Sequence, residues 1–170
     1  MLDGQMTADE PPTVTGIRRR AAELFARSGV DFAPHAHEPV MDYETAAQVR
    51  ERFHLTGAET KSLFLRGKSG RHTMFVSVEG RRLDTAKARA ALGEKFSIAP
   101  GAELKAVTGC EPGCAVPFGL PPQVTLLIDS ALGHEPRLIF SPGPPTETIE
   151  VSATDWVALV SKTDNPVVTY

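Results

Sequence analysis

One lysine and one glycine- and proline-rich loop are the features of this sequence best suited to chemistry. Lys61 heads an apolar run, Lys61-Ser-Leu-Phe-Leu-Arg66. A cation at the end of such a strand can reach into a pocket; the plainer reading is a solvated lysine at a strand margin. Its natural partner is the segment Gly109-Cys-Glu-Pro-Gly-Cys-Ala-Val-Pro-Phe-Gly-Leu-Pro-Pro122, with three glycines and four prolines. Glycine lets a backbone come close to a ligand and proline holds neighbouring N–H groups in place, which suits a loop that receives a carbonyl or an oxyanion. Irregular loops of this length are uncommon in compact domains unless they serve a function.

The other candidates are weaker. The sequence has no Gly-x-x-x-x-Gly-Lys-Ser/Thr phosphate loop, no Gly-x-Gly-x-x-Gly, no Gly-x-Ser-x-Gly elbow and no His-Glu-x-x-His. His35 and His37 fall on one side of a strand and could be drawn into a zinc set with Cys110 and Cys114. Cys-x-x-x-Cys is not the usual zinc spacing, however, and the two pairs lie far apart in the chain. As ordinary structure, the histidines are edge polar residues and the cysteines small packing residues.

These residues must be positioned by the elements around them. Ile17, Ala21, Leu24 and Phe25 form one apolar face, which predicts a helix opening near Thr15 and stopping at Gly29. A short strand is expected at Val30–His35 and a second helix from Asp42 to Phe53 with Ala46, Val49 and Phe53 inward. Lys61–Arg66 and His72–Val78 flank Gly67-Lys-Ser-Gly70 and predict a hairpin. Asp84 caps a third helix ending at Gly93; Phe96–Ala99 reads as a strand; Pro100 opens a helix closed by Gly109. Strands follow at Val124–Asp129, Arg137–Phe140 and Thr148–Val151, and Ser152 with Asp155 caps a last helix through Trp156 and Val160. Residues 1–13 read as a disordered leader, 14–162 as one domain and 163–170 as a frayed tail. The pattern is α/β, with one mixed or largely antiparallel sheet.

Length and composition set the frame. A chain of 170 residues with 41% hydrophobic and 23% charged side chains can bury a core without disulfides or a structural metal. Its apolar runs are too short for a membrane span, its N-terminus has no signal-peptide pattern, and two cysteines suit a reducing cytoplasm. The net charge of −3 conceals a basic middle: residues 50–95 carry eleven basic and five acidic side chains, and the flanks are acidic. Such a stretch is either a set of solvated faces or a local phosphate-binding surface.

Thr60-Lys-Ser-Leu-Phe-Leu-Arg66, Gly113-Cys-Ala-Val-Pro117 with Phe118-Gly119, and Leu126-Leu-Ile-Asp129 together resemble the YbaK/EbsC and prolyl-tRNA-synthetase-associated editing domains. The resemblance runs from about Ile17 to Val160. Thr108-Gly-Cys and His37-Glu-Pro-Val40 look more like the YeaK-type members. It implies a YbaK-like single domain with a curved, barrel-like mixed sheet and surrounding helices. The activity implied is trans-editing: hydrolysis of the ester of a mischarged aminoacyl-tRNA, with no metal and no cofactor. In this reading Lys61 and Gly113 are catalytic, Lys61 holding the terminal phosphate or the aminoacyl carbonyl. Backbone N–H groups from Gly113 to Val116 receive the developing charge, and the water is activated by the ribose hydroxyl of the substrate. Thr108, Cys110, Cys114, Ala115, Val116 and Pro117 bind the substrate. The partners implied are the 3′ acceptor end of mischarged tRNA and an aminoacyl-tRNA synthetase or elongation factor, with no membrane. Alanine-editing members carry a His-Pro followed by Asn and Thr where this chain has Ser141-Pro-Gly-Pro-Pro-Thr146. The expected substrate is therefore serine or threonine ahead of alanine. The rivals are a catalytically silent tRNA- or synthetase-binding module of the same fold and a thiol or metal protein using Cys110 and Cys114.

Overall fold

The computed structural model describes residues 12–40 and 42–170. Helix α1 spans Val14–Ser28: the Thr13 hydroxyl accepts the Gly16 N–H at 3.0 Å, and Gly29 ends the helix in the left-handed conformation. Its buried residues are Ile17, Ala21, Leu24 and Phe25, the face expected from their spacing. Thr13 is thus structured as a cap, and the rest of the expected leader, residues 1–11, lies outside the described residues. The strand expected at Val30–His35 is not formed. The chain finds a partner only at His35–Ala36 (β1), while Val30 and Phe32 turn into the core beside Phe25.

Helix α2 (Tyr43–Arg52) starts at Asp42, whose side chain accepts the Thr45 N–H; Val49 is buried, and Ala46 and Phe53 are partly so. The hairpin is β2 (Ala58–Gly67) and β3 (His72–Val78), antiparallel with Lys61 opposite Ser77. Helix α3 (Thr85–Leu92), strand β4 (Phe96–Ile98) and helix α4 (Gly101–Thr108) fall where their caps predict. After the loop come β5 (Thr125–Ile128), a short 3-10 helix (Ser130–His134), β6 (Arg137–Phe140), β7 (Glu147–Ser152) and α5 (Ala153–Lys162). Residues 163–170 are not a frayed tail. Val167–Thr169 form β8, parallel to β5; Asn165 is buried and bonds the Pro121 and Val124 carbonyls; Tyr170 packs edge-on against Phe75. Three β-branched residues beside an open strand edge suffice to continue the sheet.

The sheet runs β1-β7-β6-β2-β3-β5-β8 with β4 branching from β2, and its two ends do not pair, so the barrel-like expectation gives way to an open mixed sheet. The main core, with α1, α4 and α5, lies on one face; a smaller core of Leu65, Phe75, Leu127 and α3 lies on the other. One feature of this topology makes the site. β2 has β3 along one edge, but its other edge is shared between β6, at Ala58–Glu59, and β4, at Leu65–Gly67. Between those pairings no described strand covers that edge.

Asp129, at the end of β5, is 2% exposed. It accepts hydrogen bonds from Ser77 Oγ at 2.7 Å, Arg81 Nε at 3.0 Å and the Ala131 N–H at 2.9 Å. Burial works against its charge, but these donors outweigh it and hold the carboxyl below the usual carboxylate range. Its stabilising contribution is therefore complete above the ordinary carboxylate pKa and is lost as pH falls through the depressed one. Removing this buried carboxylate leaves the buried Ser77 hydroxyl without its acceptor and strips Arg81 of its partner, so Asp129→Ala is expected to cost about 3 kcal/mol. Thermal unfolding at pH 7 should show a Tm lower by roughly 6–12 °C, with the gap to wild type narrowing in acid.

Candidate active site

The uncovered edge of β2 opens into a cleft with two connected chambers. The larger, about 620 Å³, is lined by β2 from Glu59 to Phe64, by Tyr43 and Ala46 of α2, by Ile98, Ala99 and Leu104, and by Gly113 and Ala115 of the loop. The smaller, about 150 Å³, shares Val40, Glu59, Thr60, Gly113 and Ala115 with it and adds Cys114, Val116, Pro117, Phe140, Ser141, Pro145, Glu147 and Thr148. The lysine strand and the Gly113–Pro117 loop, singled out separately in the sequence, are therefore two walls of one cleft.

The loop is held from behind. Val116, Phe118 and Leu120 are buried, with the Phe118 ring 5.0 Å from Trp156 and 5.4 Å from Phe140, and Arg20 Nε of α1 bonds the Gly119 carbonyl at 2.8 Å. Gly119 has φ +85°, and a Cβ there would sit 2.3 Å from the Ile17 carbonyl oxygen, so only glycine lets the loop lie this close to α1. The front of the loop faces the cleft. The Cys114 N–H closes a turn onto the Glu111 carbonyl at 2.9 Å, and the Val116 N–H hydrogen-bonds the Cys110 thiol. Among the described residues the N–H groups of Gly113 and Ala115 have no acceptor. Two unfilled donors, two residues apart, at the wall of a cleft form the kind of receptor a developing oxyanion requires.

Lys61 lies at the rim of the larger chamber, and its ammonium donates to the Arg81 carbonyl at 3.1 Å. The Arg81 guanidinium is in turn held by Asp129. A buried carboxylate thus fixes the segment on which the lysine rests. Neighbouring residues of a strand face opposite ways, so Lys61 shares a side of β2 with Leu63 and Leu65, while Phe64 enters the main core.

Two of the expected substrate-binding side chains lie elsewhere. Thr108 is wholly buried, donates to the Leu104 carbonyl at 2.6 Å and accepts the Cys110 N–H at 3.1 Å; Cys110 is 0% exposed in the main core. Both secure the end of α4 and line neither chamber. Burial pushes both thiols above the ordinary cysteine range. The smaller chamber instead holds Ser141, Thr148 and Glu147 beside Cys114, among apolar walls of Val40, Val116, Pro117 and Phe140. The Glu147 carboxylate is paired with Arg18, and the Thr148 hydroxyl with His37 Nε2 at 2.8 Å. His35 stacks on Phe53 at 4.6 Å. The structure does not gather His35, His37, Cys110 and Cys114, and no group of three metal-ligating side chains occurs among the described residues.

Sequence reasoning missed Glu59. It is the residue two before Lys61, it lines both chambers, and its carboxyl is pushed up to about 7 by burial and by the charge of Glu79, against the opposing pull of Arg50. Nothing local marks it, because the charges that act on it, Arg50 of α2 and Glu79 after β3, come from other elements.

Comparison with known proteins bears on this geometry. The chain is 23% identical over 144 residues to the multifunctional Ser/Thr-tRNA deacylase ProXp-y of Escherichia coli strain K12, a match covering 83% of this chain and 86% of the relative. Among solved structures, hypothetical protein APE2540 superposes with a TM-score of 0.71 at 18% identity, over 88% of this chain and 98% of that one. A candidate trans-editing enzyme for prolyl tRNA synthetase superposes with a TM-score of 0.68 at 22% identity, over 89% and 94%. These likenesses establish the fold. No helix among the described residues is long and apolar enough to cross a membrane. The family model of the aminoacyl-tRNA editing domain matches residues 37–159, a span that takes in both walls of the cleft, and the chain belongs to that family.

Proposed function

We propose that this protein hydrolyses, in trans, the ester joining a small hydroxylated amino acid, serine or threonine, to the 3′ end of a mischarged tRNA. The observation that carries the reading is the cleft itself: the unfilled N–H groups of Gly113 and Ala115 stand beside a chamber of about 150 Å³ whose walls include Ser141, Thr148 and Cys114. An aminoacyl ester is already activated, so the protein need only position it with a water and stabilise the tetrahedral oxyanion. The Gly113 and Ala115 donors receive that charge. Lys61, at the rim, holds the terminal phosphate or the aminoacyl carbonyl. Ser141, Thr148 and Cys114 offer a hydroxylated side chain polar neighbours. The name of the relative, a Ser/Thr-tRNA deacylase, supports the same class of substrate.

The basic middle of the chain divides in the structure. Arg66, Arg71 and Arg81 are paired with Glu103, Glu94 and Asp129. Lys68 and Lys95 join Arg66 around a shallow depression of about 330 Å³ at the hairpin tip, an exposed cationic surface suited to the phosphates of an acceptor stem.

Initial deacylation rates on Ser-, Thr-, Ala- and Pro-tRNA at one fixed salt concentration test the reading. Serine and threonine esters are expected to be cleared about tenfold faster than alanine, since discrimination among small side chains is worth about 1–3 kcal/mol. Proline, excluded by its ring, is expected to remain on its tRNA. If alanine esters are cleared fastest, the small chamber does not set the preference assigned to it.

A further inference from the structure

We infer that Glu59 is the general base of this cleft, taking a proton from the water that attacks the aminoacyl carbonyl carbon. This rests on the function proposed above and replaces the ribose hydroxyl with a group supplied by the protein.

The geometry comes first. Glu59 lines both chambers, as do Gly113 and Ala115, so the residue that bears a carboxylate and the two that bear open N–H groups border the same space. That is the juxtaposition ester hydrolysis needs: a base for the water and donors for the oxyanion. Its carboxylate is also unengaged in a way its neighbours are not. Glu147 is bonded to Arg18, Glu150 to Arg137 and the Gly57 N–H, and Asp129 to three donors. The Glu59 side chain is 28% exposed, and its nearest cation, Arg50 Nε, stands 4.0 Å away, beyond hydrogen-bond range. No described residue donates a hydrogen bond to its carboxylate oxygens.

The charged groups around it are few. Arg50 faces it from α2; Glu79 follows β3 and is hydrogen-bonded to Tyr43; Asp42 and Tyr43 line the larger chamber, and Lys61 lies two residues along its own strand. Burial is the largest influence on its protonation, Arg50 opposes it, Glu79 reinforces it, and the result is titration at about 7. A base poised there is substantially ionised at neutral pH and basic enough to accept a proton.

The step balances. Glu59 takes a proton from water, the water oxygen bonds to the carbonyl carbon, and the carbonyl π pair moves onto its oxygen between the Gly113 and Ala115 donors. The tetrahedral species collapses, the bond to the ribose 3′ oxygen breaks, and that oxygen takes the proton from Glu59. The products are the free amino acid and the 3′-hydroxyl of the tRNA.

The test is single-turnover deacylation of Ser-tRNA by wild type and Glu59→Gln between pH 5.5 and 8.5. Binding of an amide-linked seryl-tRNA analogue and Tm are measured alongside. Wild type is expected to rise in rate through pH 7 and level off. Glu59→Gln should be slower by about 100-fold, lack the inflection near 7, bind the analogue within twofold of wild type, and unfold at an equal or higher temperature at pH 8. A Glu59→Gln protein with wild-type rate and inflection overturns the assignment and leaves the proposed function standing. So does a variant whose kcat is unchanged and whose KM rises, which would make Glu59 a holder of the substrate ammonium. Wild type inactive on every mischarged tRNA overturns the function and the base together.

Discussion

Lys61→Ala is expected to lower kcat/KM for deacylation by 10²- to 10³-fold while leaving Tm within a degree or two of wild type. The two halves of that expectation have separate causes. The ammonium makes one hydrogen bond, to the Arg81 carbonyl at the exposed rim, and water can replace it there when the side chain is removed. The strand is fixed instead by its pairing with β3 from Thr60 to Arg66 and by the burial of Phe64 and Leu65. The rate effect follows from position. In the proposed function, a cation at the mouth of the larger chamber would meet an anionic substrate terminus, or the carbonyl as it gains charge. One such contact in a partly desolvated cleft is worth about 3–4 kcal/mol in the transition state. Initial rates over a range of tRNA concentrations, with thermal unfolding on the same samples, separate the two. Wild-type kcat/KM in a folded Lys61→Ala protein would remove the lysine from the mechanism. Inactivity with a collapsed Tm would assign it a structural part.

The sequence discloses this site unevenly, and the reason is physical. Local signals carry the elements: Asp42, Asp84 and Ser152 each accept a hydrogen bond from the N–H three residues on, and Gly67–Gly70 turns the hairpin. Lys61 and the Gly113–Pro117 segment stand out by residue type, a cation heading an apolar strand and a stretch within a loop dense in glycine and proline. What one stretch cannot disclose is which other stretch covers it. Val30–His35 alternates as a strand would, yet only His35 and Ala36 meet a partner, because Val30 and Phe32 are drawn into the core. Thr108 and Cys110 adjoin the loop in sequence but are turned inward by the end of α4. Glu59 is an unremarkable glutamate until α2 brings Arg50 beside it and the hairpin brings Glu79. The cleft arises because one edge of β2 is divided between β6 and β4, partners separated from it by very different lengths of chain. No periodicity within β2 encodes that division.

Gly113→Val is expected to have the larger effect, a loss of 10³-fold or more in deacylation. Gly113 has φ +83°, a conformation that β-branched residues adopt only with strain of order 1–3 kcal/mol. A Cβ there meets no atom within 4 Å and Gly113 lines both chambers, so a side chain finds room beside the space where, in the proposed function, the carbonyl of the substrate approaches the Gly113 and Ala115 N–H groups. A valine would shift those donors and also occupy the place of the ester. Two controls separate these effects. Gly113→Asn keeps a residue that tolerates positive φ, so its loss of rate reports occlusion rather than strain. Gly29→Val imposes similar strain at φ +71° at the end of α1, again with nothing within 4 Å, on a residue that borders neither chamber. It should lower Tm and leave the rate of the folded protein at the wild-type value. Single-turnover deacylation by the three variants decides the matter. If Gly113→Asn and Gly113→Val both hydrolyse at the wild-type rate, the loop is a structural connection and the oxyanion must be received elsewhere. If only Gly113→Val is impaired, the backbone conformation of the loop matters and the space beside it does not. Loss in both, with Gly29→Val unaffected, is the result expected of a backbone that must lie bare against its substrate.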